Sequence, residues 1–401
     1  MSSQGLGKKS SYMQATSPGV FMRLAVNRLL VGLIVGSASV ATGCGPKPAA
    51  HRRVVMEAPV EDVPSTEISE RDYGWATGAR QFNARDPEGD PRVAWRLDMG
   101  APLVHPLMTD GRSVYGTAGG QAFCVEANGT ERWRMQLNAT GGLAVRSPGI
   151  AVPTSRDQIL DLNPMDGSIT GTHDAGGVVT GHPLPLQGEL VWVTEGGQVA
   201  SDAGWSTAGS DSALGVPSAD SVHVYFATLT GEVVAASRAR ARWRAVLPGR
   251  VVGGLVSADG MVFASYIGEL GRPGGVAAIA ADSGAVVWRV PLSDDPASGP
   301  VLGNALVIPD RSGAVVGLDP ATGKTVWHTE LPGSPSTALA FGEFGLYLGN
   351  ADGHLHRLDP DDGGEIWSID LGATPAASPV VLPGVVVVGL TDGSLVAIGG
   401  E

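Results

Sequence analysis

Two histidines, His354 and His356, stand two positions apart in a segment that alternates like a β-strand. Side chains at i and i+2 of a strand point to the same face, so both rings could bind one metal ion with a third ligand. The sequence specifies no third ligand at a fixed spacing. A structural role for both rings within the strand explains the pair equally well, and we predict no metal site here.

An acidic segment follows directly, from Asp359 to Glu365, and reads DPDDGGE. Closely spaced carboxylates are typical of calcium loops, but those loops are longer and carry an oxygen ligand where Gly363 stands. Asp, Pro and Gly in this order also favour a tight turn. The segment is therefore predicted to be a hairpin turn rather than a calcium site.

The chain offers little support for nucleophilic or cofactor chemistry. No Gly-x-Ser-x-Gly motif stands between a strand and a helix, and the paired Gly253 and Gly254 are followed by no helical pattern that would make a phosphate loop. Cys124 lies in a predicted strand and is expected to be a small buried hydrophobe. With Cys44 as the second cysteine, no Cys-based metal site can form. We predict no catalytic residue and no cofactor.

Cys44 has a different expected chemistry, because it follows an export segment. Basic residues precede an apolar run from Leu29 to Val40 that is too short to span a bilayer, and small residues lead to Gly43-Cys44. The segment resembles a bacterial lipobox. The resemblance implies that residues 1–43 form a signal peptide, with Met22 as an alternative start, and that Cys44 is lipidated.

The segment 44–90 contains several prolines and acids and no sustained hydrophobic period, which predicts a flexible tether. Tyr73 and Trp75 are expected either to dock on the following domain or to bind a partner. By resemblance to enteric lipoproteins, Gly45 after the lipidated cysteine points to the outer membrane, facing the periplasm. The inner membrane stays open.

From residue 91 to 401 the sequence repeats. Short strands and Gly-containing turns recur about every 40 residues, and each unit ends on a tryptophan: Trp95, Trp133, Trp205, Trp243, Trp288, Trp327 and Trp367. One interval is doubled, and its missing anchor falls near Thr172. Four short strands per unit are typical of a β-propeller blade, so the fold class is all-β.

The two ends of the repeat region complement each other. Three strands, 377–381, 385–390 and 393–398, follow the last tryptophan without an outer strand, whereas the strand at 93–97 has no preceding partners. Together they make one composite blade that closes the ring and removes its exposed edges. We therefore predict an eight-bladed propeller closed by an N-terminal strand. Seven blades remain possible, because the unit from Leu184 to Trp205 is weakly patterned.

The segment from Asp319 to Trp327 reads DPATGKTVW and resembles the repeat of PQQ-type, or quinoprotein-like, propellers. In that family the tryptophan packs between neighbouring blades. Its dehydrogenases carry a vicinal cysteine pair and a calcium and quinone ligand set, neither of which is found here. The resemblance is thus to non-enzymatic members, above all the BamB family of outer-membrane assembly lipoproteins, and implies a scaffold that acts through protein partners.

By the same resemblance, Leu143, Val145 and Arg146 are candidate partner-binding residues, although the segment also fits the start of an inner strand. Three functions stay open: a scaffold for the β-barrel assembly machinery, a binding module for another envelope protein, peptide or carbohydrate, and a quinone-dependent oxidoreductase. The net charge of −13 argues against nucleic acid as a partner, because phosphate binding needs clustered Lys and Arg.

Overall fold

The computed structural model describes residues 85–207, 212–238, 240–269 and 271–400. The predicted signal peptide, Cys44, Tyr73, Trp75 and most of the predicted tether lie outside these residues. The described residues contain β-strands and turns and no helix. Accordingly, no helix in this part of the chain has the length and apolar character needed to cross a membrane.

The strands fall into eight groups that follow the predicted repeat. Group 1 comprises β2 (Met108–Thr109), β3 (Ser113–Ala118), β4 (Gln121–Glu126) and β5 (Glu131–Gln136). Group 2 comprises β6 (Ala144–Val145), β7 (Ile150–Thr154), β8 (Gln158–Leu162) and β9 (Ile169–Asp174). Group 3 comprises β10 (Leu184–Leu186), β11 (Glu189–Val193) and β12 (Val199–Ser201). Group 4 comprises β13 (Ala213–Ala219), β14 (Val224–Thr228), β15 (Glu232–Ser237) and β16 (Arg240–Val246). Group 5 comprises β17 (Val251–Ala258), β18 (Met261–Tyr266), β19 (Gly275–Ala280) and β20 (Val286–Pro291).

Group 6 comprises β21 (Val301–Leu302), β22 (Leu306–Pro309), β23 (Ala314–Leu318) and β24 (Thr325–Glu330). Group 7 comprises β25 (Ala340–Phe341), β26 (Leu346–Gly349), β27 (His354–Leu358) and β28 (Glu365–Asp370). Group 8 combines β1 (Arg92–Asp98) with β29 (Val380–Leu382), β30 (Val385–Gly389) and β31 (Ser394–Gly399). Within each group, consecutive strands pair antiparallel, as in a meander.

The composite group confirms the predicted pairing of the two ends. β1 lies antiparallel to β31, with Trp95 opposite Ala397, and the order across this sheet is β1, β31, β30, β29. The strand nearest the N-terminus is therefore the outer strand of a sheet whose other strands come from the C-terminus.

Two features depart from eight separate four-stranded sheets. In group 3 the outer strand is reduced to a short stretch, in which Thr207 N–H donates to the Val199 carbonyl at 2.8 Å. Groups 4 and 5 join into one eight-stranded sheet through a parallel bridge between Val216 and Gly254. The backbones approach this closely because Gly215 lacks a Cβ, which would overlap the Gly253 carbonyl oxygen. The described strands thus form seven sheets.

The hydrophobic core of the described residues is divided into eight clusters, each shared by two consecutive groups. One cluster joins groups 8 and 1 through residues such as Val387 and Phe123, and another joins groups 7 and 8 through Tyr347 and Val396. The remaining six join each other pair of neighbouring groups in the same way. Group 8 therefore packs on both sides, and the series of groups closes on itself.

Tryptophans of the repeat reach from one group to the next. The indole N–H groups of four of them donate to carbonyls in the outer hairpin of the following group: Trp95 to Ala127, Trp133 to Pro164, Trp243 to Ala281 and Trp288 to Pro320. Each ring lies on a hairpin glycine with positive φ, where a Cβ would collide with the indole: Gly129, Gly167, Gly284 and Gly323. Glycine is required there both for its φ and for this close approach.

Candidate functional site

Strand register places Gly171 at the missing tryptophan position of the repeat. In six groups the tryptophan lies opposite a residue of the neighbouring strand: Cys124, Ala235, Ala278, Gly317, Arg357 or Ala397. In group 2 the equivalent pair is Asp161 and Gly171. A Cβ on Gly171 would lie 3.0 Å from Asp161 Oδ2, so the carboxylate occupies space beside this glycine.

Asp161 is the centre of an ion cluster at this position. Arg146 donates from Nη2 to both Asp161 carboxylate oxygens at 2.9 Å, and from Nη1 to Asp202 Oδ2 at 2.5 Å. His173 Nε2 lies 2.7 Å from Asp161 Oδ2. The Arg146 side chain is only 17% exposed. Burial alone would lower the pKa of Arg146, but hydrogen bonds and charges from Asp202 and Asp161 raise it.

The cluster connects group 2 to group 3. Asp202 lies in the turn that follows β12, where other groups present the glycine on which a tryptophan ring rests. Gly204 in this turn has a positive φ of 82°, and a Cβ there would meet no atom within 4 Å. The pair Arg146–Asp202 therefore makes the contact between groups that an indole ring makes elsewhere.

The structure places the three predicted partner-binding residues in different surroundings. Leu143 is fully buried in the cluster shared by groups 1 and 2, with Val145 packed partly buried against it. Arg146 is engaged in the ion cluster. The exposed part of this segment is instead the tip of the turn between β6 and β7, at Ser147 and Pro148.

The histidine pair lies in β27 with ring centroids 6.1 Å apart. His356 is buried; its Nδ1 lies 2.8 Å from Glu365 Oε1 and its Nε2 is 3.1 Å from Asn350 Nδ2. The Nδ1 atom of His354 lies 3.4 Å from Asp352 Oδ1. Across the described ranges, no three or more His, Cys, Asp or Glu side chains are grouped so that they could hold a metal ion.

The acidic segment 359–365 forms the turn between β27 and β28. Gly363 N–H donates to the Asp359 carbonyl at 2.9 Å, and the carboxylates of Asp359 and Asp362 cap nearby backbone N–H groups at 2.8 Å. Cys124 is buried in β4. Burial is the largest cause that raises the pKa of the Cys124 thiol, to about 11.

Sequence reasoning missed Asp161, His173 and Asp202. A signal was available, because the tryptophan series breaks in this unit and an aspartate stands at a position where five other units carry a small residue and one carries Arg357. The partners of that aspartate come from other turns, and only the folded structure brings them together.

A family model described as outer membrane protein assembly factor BamB matches residues 122–203 and 272–400, which together make up more than half of the sequence. The chain belongs to this family. No curated protein sequence matches it significantly.

Solved structures share the fold at low sequence identity. BamB from Moraxella catarrhalis is 15% identical with a TM-score of 0.61, and the match covers 77% of this chain and 100% of that one. The computationally designed Ika8 protein is 14% identical with a TM-score of 0.66, covering 77% and 99%. A europium-containing methanol dehydrogenase is 12% identical with a TM-score of 0.62, covering 80% and 96%.

The europium-containing neighbour raises the question of a metal site in this chain. The described residues contain no cluster of metal ligands, and Cys124 is the single cysteine among them. Innermost backbone segments of groups 4 to 6 also touch through glycines: a Cβ on Gly253 would overlap Gly299, and one on Gly299 would overlap Gly254. This close contact leaves no room for side-chain ligands from these positions.

Proposed function

We propose that this chain is a lipid-anchored scaffold that supports the assembly of outer-membrane β-barrel proteins. The observation that carries the proposal is the family match over residues 122–203 and 272–400. In the proposed topology, residues 1–43 are removed, Cys44 carries the lipid in the outer membrane, and the propeller lies in the periplasm.

The proposed body is an eight-bladed ring, with each strand group acting as one blade. The eight core clusters support this count, because each one joins two consecutive groups and the last joins group 8 to group 1. The eight-stranded sheet is then two neighbouring blades linked by one bridge at the innermost strands. A rigid closed ring is suited to presenting loops to protein partners.

The role is proposed to be non-enzymatic. The family model that matches the chain is described as an assembly factor, which supports this. Adding pyrroloquinoline quinone to the purified protein tests the point: we expect no saturable fluorescence change and no alcohol-dependent dye reduction. Saturable binding with activity would replace the scaffold proposal by the oxidoreductase.

Partner contact is proposed at the tip formed by Ser147 and Pro148. Leu143, Val145 and Arg146 would then act by holding this tip in place rather than by direct contact. The test is affinity purification from detergent-solubilised membranes at native expression, comparing Ser147→Arg with Ser221→Arg. Ser221 occupies the equivalent turn position in group 4 and is also exposed, so it serves as a matched control.

We expect the unaltered protein and Ser221→Arg to recover the core of the barrel-assembly machinery, and Ser147→Arg to lose it. If the unaltered protein recovers another envelope protein instead, the alternative of a different binding module is favoured.

The lipid anchor is tested by labelling cells that express the Cys44→Ser precursor with radioactive palmitate. If Cys44 carries the lipid, this variant should incorporate no palmitate.

A further inference from the structure

Asp86 is a buried carboxylate in the segment that precedes β1, and the strand repeat gives no reason for its burial. Its side chain reaches group 7, where Oδ1 accepts a 2.6 Å hydrogen bond from the Tyr347 hydroxyl. Its Oδ2 accepts a hydrogen bond from the Phe344 backbone N–H. Arg357 Nη2 lies 3.7 Å from the same Oδ2. A carboxylate buried with both oxygens engaged is held by specific contacts.

The same contacts recur in two other groups, but there the aspartate belongs to the turn itself. Asp110 accepts a 2.9 Å bond from the Tyr115 hydroxyl and bonds from two N–H groups of its own turn, between β2 and β3. Asp220 does the same with Tyr225 in the turn between β13 and β14. Each turn thus carries its own carboxylate five residues before the tyrosine.

In group 7 the position five residues before Tyr347 is Gly342. The turn has the same backbone hydrogen bond, from Gly342 N–H to the Gly345 carbonyl at 2.7 Å. A Cβ on Gly342 would overlap the Asp86 carboxylate. The turn of group 7 therefore lacks its own carboxylate and leaves the space into which Asp86 fits.

Neighbouring atoms of the segment are also fixed, and they contact two groups. The Pro87 carbonyl accepts a 3.0 Å bond from Arg357 Nη1 in group 7. The Arg85 carbonyl accepts a 2.9 Å bond from Gly384 N–H, in the turn between β29 and β30 of group 8. The segment thus lies across the boundary between group 7 and the composite group that closes the ring.

We propose that the turn around Gly342 is a carboxylate-binding site whose ligand is Asp86 of the same chain. Occupancy of this site fastens the segment preceding β1 across the closing boundary. A force applied to the chain on the N-terminal side of Arg85 is then resisted at Asp86 before it reaches β1, the one strand of the closing sheet that comes from the N-terminal side. This inference does not depend on which partner the protein binds.

The test moves the carboxylate from the segment back into the turn. In the full chain, Asp86→Ser removes the ligand, and Asp86→Ser with Gly342→Asp restores a turn carboxylate like Asp110. Hydrogen exchange of residues 85–91 and of β1 measures how firmly the segment before β1 is held. The midpoint of thermal unfolding measures the stability of the folded protein. Glu88→Gln is the control, because Glu88 is exposed and its carboxylate pairs with Arg85, which is exposed as well.

For Asp86→Ser we expect exchange in residues 85–91 to become about tenfold faster or more, with a lower melting midpoint. The double variant should recover the midpoint while its exchange stays fast, because the turn is satisfied and the segment is free. Tyr347→Phe, which removes one donor and keeps the ring, should accelerate exchange in the same direction. Unchanged exchange in Asp86→Ser, or a further loss of stability in the double variant, would overturn the proposal.

Discussion

The indole ring of Trp288 rests on Gly323 of the following strand group, and its N–H donates a 3.1 Å hydrogen bond to the Pro320 carbonyl. Gly323 has a φ of 70°, and a Cβ there would lie 2.8 Å from Trp288 Cδ2. The motif that ends each repeat is thus one half of a contact whose other half lies in the next repeat. Neighbouring units depend on each other through pairs of this kind.

Gly323→Ala should therefore destabilise the protein by two effects, backbone strain at positive φ and collision with the indole. We expect a loss of about 2–4 kcal/mol in the free energy of unfolding. Gly372→Ala is a matched control, because Gly372 has a φ of 76° and a Cβ there would meet no atom within 4 Å. The Gly372→Ala variant should lose only about 1 kcal/mol of unfolding free energy. Equal losses in urea denaturation would show that the indole contact contributes nothing.

Trp327 is 7% exposed and belongs to the cluster shared by groups 6 and 7. Trp327→Ala should lower the free energy of unfolding by about 3–5 kcal/mol, because it removes a large buried ring and leaves a cavity. Val326→Ala tests the specificity of the effect, since the adjacent Val326 is 59% exposed. That control should stay within about 0.5 kcal/mol of the unaltered protein in the same denaturation experiment.

Arg146 compensates two carboxylates that are themselves largely buried, Asp161 and Asp202. Arg146→Ala should cost about 3 kcal/mol of unfolding free energy, since it leaves both without their cation. Arg146→Lys should cost less than Ala but remain destabilising, because lysine cannot reproduce the forked geometry. Exposed Arg156 provides the comparison, and Arg156→Ala should change stability by less than about 0.5 kcal/mol. Wild-type stability in Arg146→Ala would contradict the bridging role of the cluster.

Cys124 is buried and its thiol pKa is raised to about 11, mainly by burial. A thiol reagent such as DTNB should therefore not react with Cys124 in the folded protein at pH 8, where the thiolate fraction is very small. Reaction should be complete in denaturant. The measurement is best made on a Cys44→Ser variant, so that Cys124 is the only cysteine. Fast labelling of the folded protein would show that group 1 opens readily.

The pairing of β1 with the C-terminal strands was predictable because each end of the repeat region is visibly incomplete in the sequence. Val93 to Leu97 alternates as a strand without partners, and the C-terminal strands lack an outer one, so the two sets complete each other. The tryptophan spacing likewise locates the units. The period locates the units because every strand group except group 8 is built from consecutive residues.

The ion cluster and the Asp86 site were not predictable, because their partners are distant in sequence. Arg146 meets Asp202 after 56 residues, and Asp86 meets Tyr347 after 261. Gly171 stands where most units carry a tryptophan, and Gly342 stands where groups 1 and 4 carry a turn aspartate. The union of groups 4 and 5 was missed for a similar reason, since it depends on how closely the glycines around Gly215 and Gly253 approach.

His182 is fully buried at the start of group 3, and burial lowers its pKa from 6.5 to about 4. In the unfolded chain the imidazole binds a proton as the pH falls below 6.5, whereas the folded protein does not bind one until pH 4 is approached. The unfolded state therefore gains stability relative to the folded state across this window. His182 alone should reduce the free energy of unfolding by about 2–3 kcal/mol between pH 7 and pH 4.5.

His182→Gln should remove this contribution. Its unfolding free energy should fall less between pH 7 and pH 4.5 than that of the unaltered protein, by the same roughly 2–3 kcal/mol. Carboxylates titrate in both proteins and cancel in the comparison. His328→Gln is the control for replacing a histidine, because His328 is exposed. If His182→Gln and the unaltered protein lose the same unfolding free energy, His182 must bind a proton in the folded state above pH 4.5. That result would contradict the prediction.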